Sequence, residues 1–180
     1  MKRRSNERVT RARLAIAVSA LLCITAVGCG GDGPFAPGIG SGSLTASGAV
    51  SVSGTGLAIF QSITSGTTSL FQILIAPANQ TATTWSLQIV NYSGRLAAGT
   101  YDLLPLSGTP TAPVANFYYT SGGIIQVFSA TSGQLVITSS SSSSVSGTFT
   151  FTATDPNNGT STVTANGTFD AKCAAGAGCQ

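Results

Sequence analysis

The sequence predicts an all-β fold, an antiparallel β-sandwich or flattened β-barrel of about eight to ten short strands. Three observations carry this. From Leu44 onward, runs rich in Val, Ile, Phe, Tyr and Thr are divided by Gly, Pro, Ser and Asn. No stretch there shows apolar residues at i, i+3, i+4 and i+7. Beyond residue 28 Glu is absent and Lys occurs once, at Lys172, so the usual residues of a helix surface are missing.

Strands are expected at 44–53, 56–64, 69–76, 83–92, 99–104, 115–120, 123–130, 133–139, 145–154 and 160–171. The clearest is the last hairpin. Val145, Gly147, Phe149, Phe151 and Ala153 alternate with Ser and Thr. Asp155-Pro156-Asn157-Asn158-Gly159 then supplies turn residues, because Asn and Gly accept positive φ. On the return, Val163, Ala165, Phe169 and Ala171 share a face, and Asn166-Gly167 marks an expected β-bulge. Apolar residues on one face and Thr on the other describe a sheet with one wet side. Pro77 to Gln80 and Pro105 to Pro113 read as loops, and the serine run at 139–144 reads as an exposed turn.

The first 29 residues read as an address. Six Lys and Arg side chains against Glu7 precede an uncharged apolar run from Leu14 to Gly28. Fifteen residues fall short of the roughly 20 that span a bilayer and suit the apolar core of a secretory signal. The run ends Ala26-Val27-Gly28-Cys29, which resembles a bacterial lipobox. That resemblance implies cleavage before Cys29 and acylation of Cys29, which would fasten the chain to a membrane. Two or more acyl chains anchor stably where one does not. Gly30, standing where Asp would signal inner-membrane retention in some systems, points to the outer membrane. The order read from the sequence is therefore a signal at 1–28, a lipidated Cys29 with a Gly/Pro-rich tether through 43, an all-β domain at 44–173 and a tail at 174–180.

Charge confirms what the address segment hides. From Cys29 to Gln180 only Arg95 and Lys172 stand against Asp32, Asp102, Asp155 and Asp170, a net charge of −2. No basic patch remains for nucleic acid. So few charges leave solubility to Ser, Thr, Asn, Gln and Gly. Cys173 and Cys179 enclose a short flexible run, and in an oxidising compartment they are expected to form a disulfide. Asp170 and Lys172, two apart on a strand, are expected to share a face as an exposed pair.

The inventory argues against catalysis. Residues 29–180 contain no His and no Glu, and no nucleophile is paired with a base. Asp155 with Asn157 and Asn158 lacks the acidic ligands of a calcium loop. No metal or other cofactor is implied. Among the aromatic residues, Trp85, Tyr118 and Tyr119 are the candidates for ligand contact. Trp85 alternates with Leu87 and Ile89 as a core residue would, and Tyr118 and Tyr119 must face opposite sides of one strand.

The stretches "AAGTYDLLP" (97–105), "SGQLVITS" (132–139) and "VSGTFTFTATDPNNGTSTVTANGTFDAKC" (145–173) resemble a family of small bacterial lipoproteins of unknown function with an all-β domain. The resemblance implies a tethered, lipocalin-sized β domain and carries no activity or site residues. The sequence reading is thus a non-enzymatic envelope lipoprotein, a structural or binding module held to the membrane through Cys29. Its partner is left open between a carbohydrate, an apolar ligand and a protein. The alternative is a lipocalin-like carrier of an apolar small molecule.

Overall fold

Alternation of apolar and small polar residues, repeated from strand to strand, folds the chain into nine strands. They are β1 (Gly40–Gly48), β2 (Val52–Ser65), β3 (Thr68–Ala76), β4 (Thr83–Asn91), β5 (Gly99–Asp102), β6 (Val114–Ser121), β7 (Ile124–Ser140), β8 (Ser144–Thr154) and β9 (Thr162–Cys173). The computed structural model describes residues 38–66, 68–79, 81–106, 111–174 and 179. The expected signal and the lipidation of Cys29 lie outside the described residues.

Neighbouring strands run β7-β6-β4-β3-β2-β1-β9-β8, and β8 pairs back to β7, which closes the sheet on itself. The fold is an eight-stranded antiparallel barrel with β5 added along the second half of β7. Closure decides between sandwich and barrel and leaves the eight barrel strands hydrogen-bonded on both sides. A parallel bridge of Ile59 and Phe60 to Lys172 and Cys173 extends the β2–β9 seam past the start of β1.

Inward positions fill the barrel. Phe60, Phe71, Phe117, Phe128, Phe149 and Phe151 are fully buried, with Leu44, Ile73, Ile75, Leu87, Ile89 and Leu103. Phe117 lies directly opposite Phe128, and their ring centroids are 6.0 Å apart. An eight-stranded barrel is just wide enough for its own side chains to occupy the interior. Leu87 and Ile89 alternate inward with Trp85, as expected.

Outward positions divide the barrel wall in two. On β8, β9 and β1 they are mostly hydroxyl residues: Thr148, Thr150 and Thr152, then Thr164 and Thr168, then Ser43, Thr45 and Ser47. Ser43 and Thr168 bond across strands at 3.0 Å, and Thr45 and Ser53 at 3.2 Å. On β2 and β3 the outward cross-strand pairs are Leu57–Ala76, Ile59–Leu74 and Ile63–Leu70, with Gln61–Gln72 between them.

Three expectations change. The Thr131-Ser132-Gly133 break does not separate two strands: β7 runs through it, with register shifts between Ala130 and Ser132 and between Ile137 and Ser139. Gly133, at φ 149°, lets the chain bulge there instead of turning. Gly167 is not a bulge, since β9 keeps continuous register against both β8 and β1. It allows close approach, because a Cβ there would overlap the carbonyl oxygen of Ser43 and stand 2.5 Å from Phe149 Cζ. Finally, residues 44–53 are divided between β1 and β2, and β1 begins at Gly40, four residues before the expected boundary. Gly40 and Gly42 take inward positions without showing an apolar side chain.

Candidate functional site

The connections after β1, β3, β6 and β8 gather at one end of the barrel, the turn end. The chain enters β1 at the other, the entry end. The sequence candidates separate accordingly. Trp85 and Tyr119 are cross-strand partners on the inner face at the turn end. Tyr118 points outward, as the alternation requires.

Trp85 is only 5% exposed and belongs to the core cluster, with Tyr119 packed against it. Its indole reaches past the end of β3, so that Nε1 lies 3.5 Å from where a Cβ on Gly54 would stand. Tyr119 pairs next with Gln126 of β7, whose side chain is exposed. Neither the indole N–H, the Tyr119 hydroxyl nor the Gln126 amide has a hydrogen-bond partner among the described residues. Val52 and Gly54, also inward and half-buried, complete the rim. Below this level Leu87, Phe117, Phe128 and Phe151 occupy the interior. This part of the turn end therefore sets an aromatic floor beside three polar groups without a partner among the described residues, and none of the residues named there carries a formal charge.

On the outer wall, Tyr118 donates to Gln88 Oε1 at 3.1 Å, and Ser129 donates to Asn116 Oδ1 at 2.9 Å. Burial raises the Tyr118 pKa above the ordinary phenol value, with a smaller contribution from Tyr92. The folded state then holds this proton more tightly than the unfolded chain. The stability it contributes is fully present below the unfolded value of about 10 and is lost as pH rises through the higher folded one. Urea midpoints are therefore expected to fall above about pH 10, and Tyr118→Phe is expected to flatten that fall. An unchanged slope in the variant would show that another group is responsible.

The entry end is closed by residues to which sequence reasoning gave no joint role. Cys173 and Cys179 are bonded as a disulfide, and Cys179 is buried in the core cluster. Arg95 Nε donates to Ser140 Oγ and Nη1 to the Cys179 carbonyl, each at 3.1 Å. The guanidinium carbon lies 5.3 Å from the centroid of the Phe60 ring. Burial lowers the Arg95 pKa from its ordinary value. A lone cation in the long span from residue 14 to residue 171 was the available signal for Arg95. Gln126, two residues before Phe128 and on the same face, was the one for the mouth.

Asp170 and Lys172 form the expected exposed pair at 3.0 Å. Asp155 Oδ1 accepts from the Asn157 backbone N–H at 2.8 Å, so its carboxylate shapes the turn. Among the described residues, no group of three or more His, Cys, Asp or Glu side chains could hold a metal ion. No helix among them is long and apolar enough to cross a membrane.

Residues 60–171, from the middle of β2 to two residues before the end of β9, match a family model described as Domain of unknown function (DUF6252). The chain belongs to this family. The DUF6252 match leaves out β1, although β1 fills the place between β2 and β9 in the closed barrel. It takes in every residue of the turn-end mouth except Val52 and Gly54. No curated protein and no solved structure matches the chain.

Proposed function

We propose that this protein is a non-enzymatic binding module of the bacterial cell envelope, tethered to the outer membrane through lipid on Cys29. In this reading its turn-end mouth takes the end of a neutral, hydroxyl-bearing ligand such as a glycan. The observation that carries it is the set of unpartnered donors at the mouth, the Trp85 indole N–H, the Tyr119 hydroxyl and the Gln126 amide, beside an aromatic floor. Sugars present apolar ring faces to aromatic side chains and hydroxyls to amides and phenols. The residues named at the mouth carry no formal charge, and the Asp155 carboxylate in the β8–β9 turn at the same end already accepts from the Asn157 N–H. A neutral ligand is therefore favoured over an anion, which would lose hydration without gaining a counter-charge.

Trp85 is the sole Trp of the chain and so reports directly on its own site. Titration with neutral gluco-, manno- and galacto-oligosaccharides is expected to shift its emission. Loss of one hydrogen bond of about 1 kcal/mol in Gln126→Ala would weaken that binding about fivefold. Unchanged Trp85 emission across the series would sink the glycan reading. The eight-strand barrel keeps the apolar-carrier reading in view. An apolar molecule retained through native mass spectrometry would favour it, and the filled interior weighs against it. The same spectrum reads the acyl mass on Cys29, and a mass that includes residues 1–28 would overturn the anchor.

A further inference from the structure

We infer that the outer wall of β2 and β3 is a seat for the lipid surface, on which the barrel lies sideways. The inference rests on the proposed lipidation of Cys29. Leu57, Ile63 and Ile39 are 40%, 45% and 53% exposed, while Ile59 and Leu70 are half-buried and Leu74 and Ala76 nearly covered by their neighbours. None of the outward side chains serves the barrel interior, which is filled from the other face. On β8, β9 and β1 the outward positions are mostly Ser and Thr, so the barrel does not need apolar residues there. The two amides that interrupt the wall satisfy each other, Gln61 Nε2 donating to Gln72 Oε1 at 3.1 Å. A self-paired amide costs less to remove from water than a free one.

The occupant is argued from where the chain enters. Gly40 pairs with Ala58, and beyond it Lys172 of β9 takes the place opposite Ile59, so the chain enters at the edge of this wall with Ile39 53% exposed. Only eleven peptide links separate Cys29 from Gly40, a reach of at most about 40 Å when fully extended. An acylated Cys29 therefore holds the barrel within about 40 Å of the bilayer, through a tether that joins it at the edge of this wall. β2 and β3 have no Lys or Arg among their outward residues, and Lys172, directly opposite Ile59, is paired with Asp170. The match is to zwitterionic lipid through apolar contact, with Tyr92, 41% exposed, at the edge as interfacial aromatics are. A spanning barrel would need the reverse pattern, a lipid-facing band all round and a polar lumen.

The test uses the processed, lipidated chain in phosphatidylcholine vesicles. Ile63→Cys and, on the hydroxyl wall, Thr150→Cys are each labelled with bimane, and the vesicles carry nitroxide-labelled lipid. The expected result is loss of fluorescence at position 63 and none at position 150. Equal quenching at both positions, or none at either, overturns the seat even if flotation shows that the anchor holds. Bimane at position 63 that is shielded from water but unquenched, together with crosslinking between copies, assigns the wall to a second copy and also overturns the seat. Absence of both flotation and an acyl mass on Cys29 takes down the anchor and the seat together.

Discussion

Gly167→Ala is expected to destabilise the barrel by about 3 kcal/mol, the upper end of the range for overpacking. Two effects compete. Replacing Gly within a strand removes freedom from the unfolded chain, which favours the variant by roughly 0.5–1 kcal/mol. Against this, the new Cβ would overlap the Ser43 carbonyl oxygen and stand 2.5 Å from Phe149 Cζ. Phe149 has a rotamer to give, but the Ser43 carbonyl belongs to β1, paired in register on both sides, and cannot move alone. The steric effect therefore wins. Gly54→Ala is the matched control: its Cβ meets only the Trp85 ring, at 3.5 Å and beyond, which is ordinary contact. Urea unfolding should show a large fall in midpoint for Gly167→Ala and little change for Gly54→Ala. Equal midpoints would refute the close-packing account.

Phe149 and Gly167 form half of a reciprocal arrangement. Phe149 lies opposite Gly167, and Gly147 lies opposite Phe169. A Cβ on Gly147 would stand 2.9 Å from Phe169 Cζ. Each ring thus folds over the glycine of the neighbouring strand, with no room for a side chain there. Phe149→Ala alone should cost about 3–5 kcal/mol. Combined with Gly167→Ala it should cost less than the sum of the two, because the ring contact is lost only once. The Ser43 overlap should remain in the double variant.

These glycines explain what the sequence made legible. Strands whose inward positions carry large side chains could be read directly: Phe149, Phe151, Trp85, Leu87 and Ile89 all fall where alternation places them. Strands whose inward positions are glycine could not. Gly40 and Gly42 look like tether because nothing apolar marks them, yet they are buried beside Asp170 and Ile75. The bulge at Gly133 and the smooth passage at Gly167 involve the same residue type with opposite outcomes, decided by the fit to the partner strands and not by the local sequence. Closure into a barrel depends on the β1–β9 pairing, which sets Ser43 beside Thr168, 125 residues away, and which no local pattern encodes. The mouth was half legible. Alternation separated Tyr118 from Tyr119, but the approach of Trp85 to Gly54 crosses β3 and follows only from the fold.

Breaking the Cys173–Cys179 disulfide as Cys173→Ser with Cys179→Ser is expected to cost about 2 kcal/mol from loop closure alone in the chain-entropy model. A further loss should follow from Arg95. The Cys179 carbonyl is an acceptor for its guanidinium, and Cys179 is itself buried in the core cluster. Once residue 179 is released, Nη1 loses that acceptor while Arg95 stays over Phe60 and bonded to Ser140. Hydrogen bonds from a charged donor contribute about 1.5–3 kcal/mol each, and Arg95 makes two, so Arg95→Met should cost about 3 kcal/mol or more, at least as much as the disulfide. If Arg95 and the disulfide act as one latch, the double-mutant cycle should show a coupling of about 1 kcal/mol or more. Purely additive losses would mean that the disulfide and Arg95 close the entry end independently. The mouth at the turn end makes a second readout available. Opening the entry end should leave Trp85 emission unchanged in folded protein, because the filled layer of Phe117 and Phe128 lies between Trp85 and the latch. A shifted Trp85 spectrum in the folded variants would show instead that the barrel transmits strain along its length.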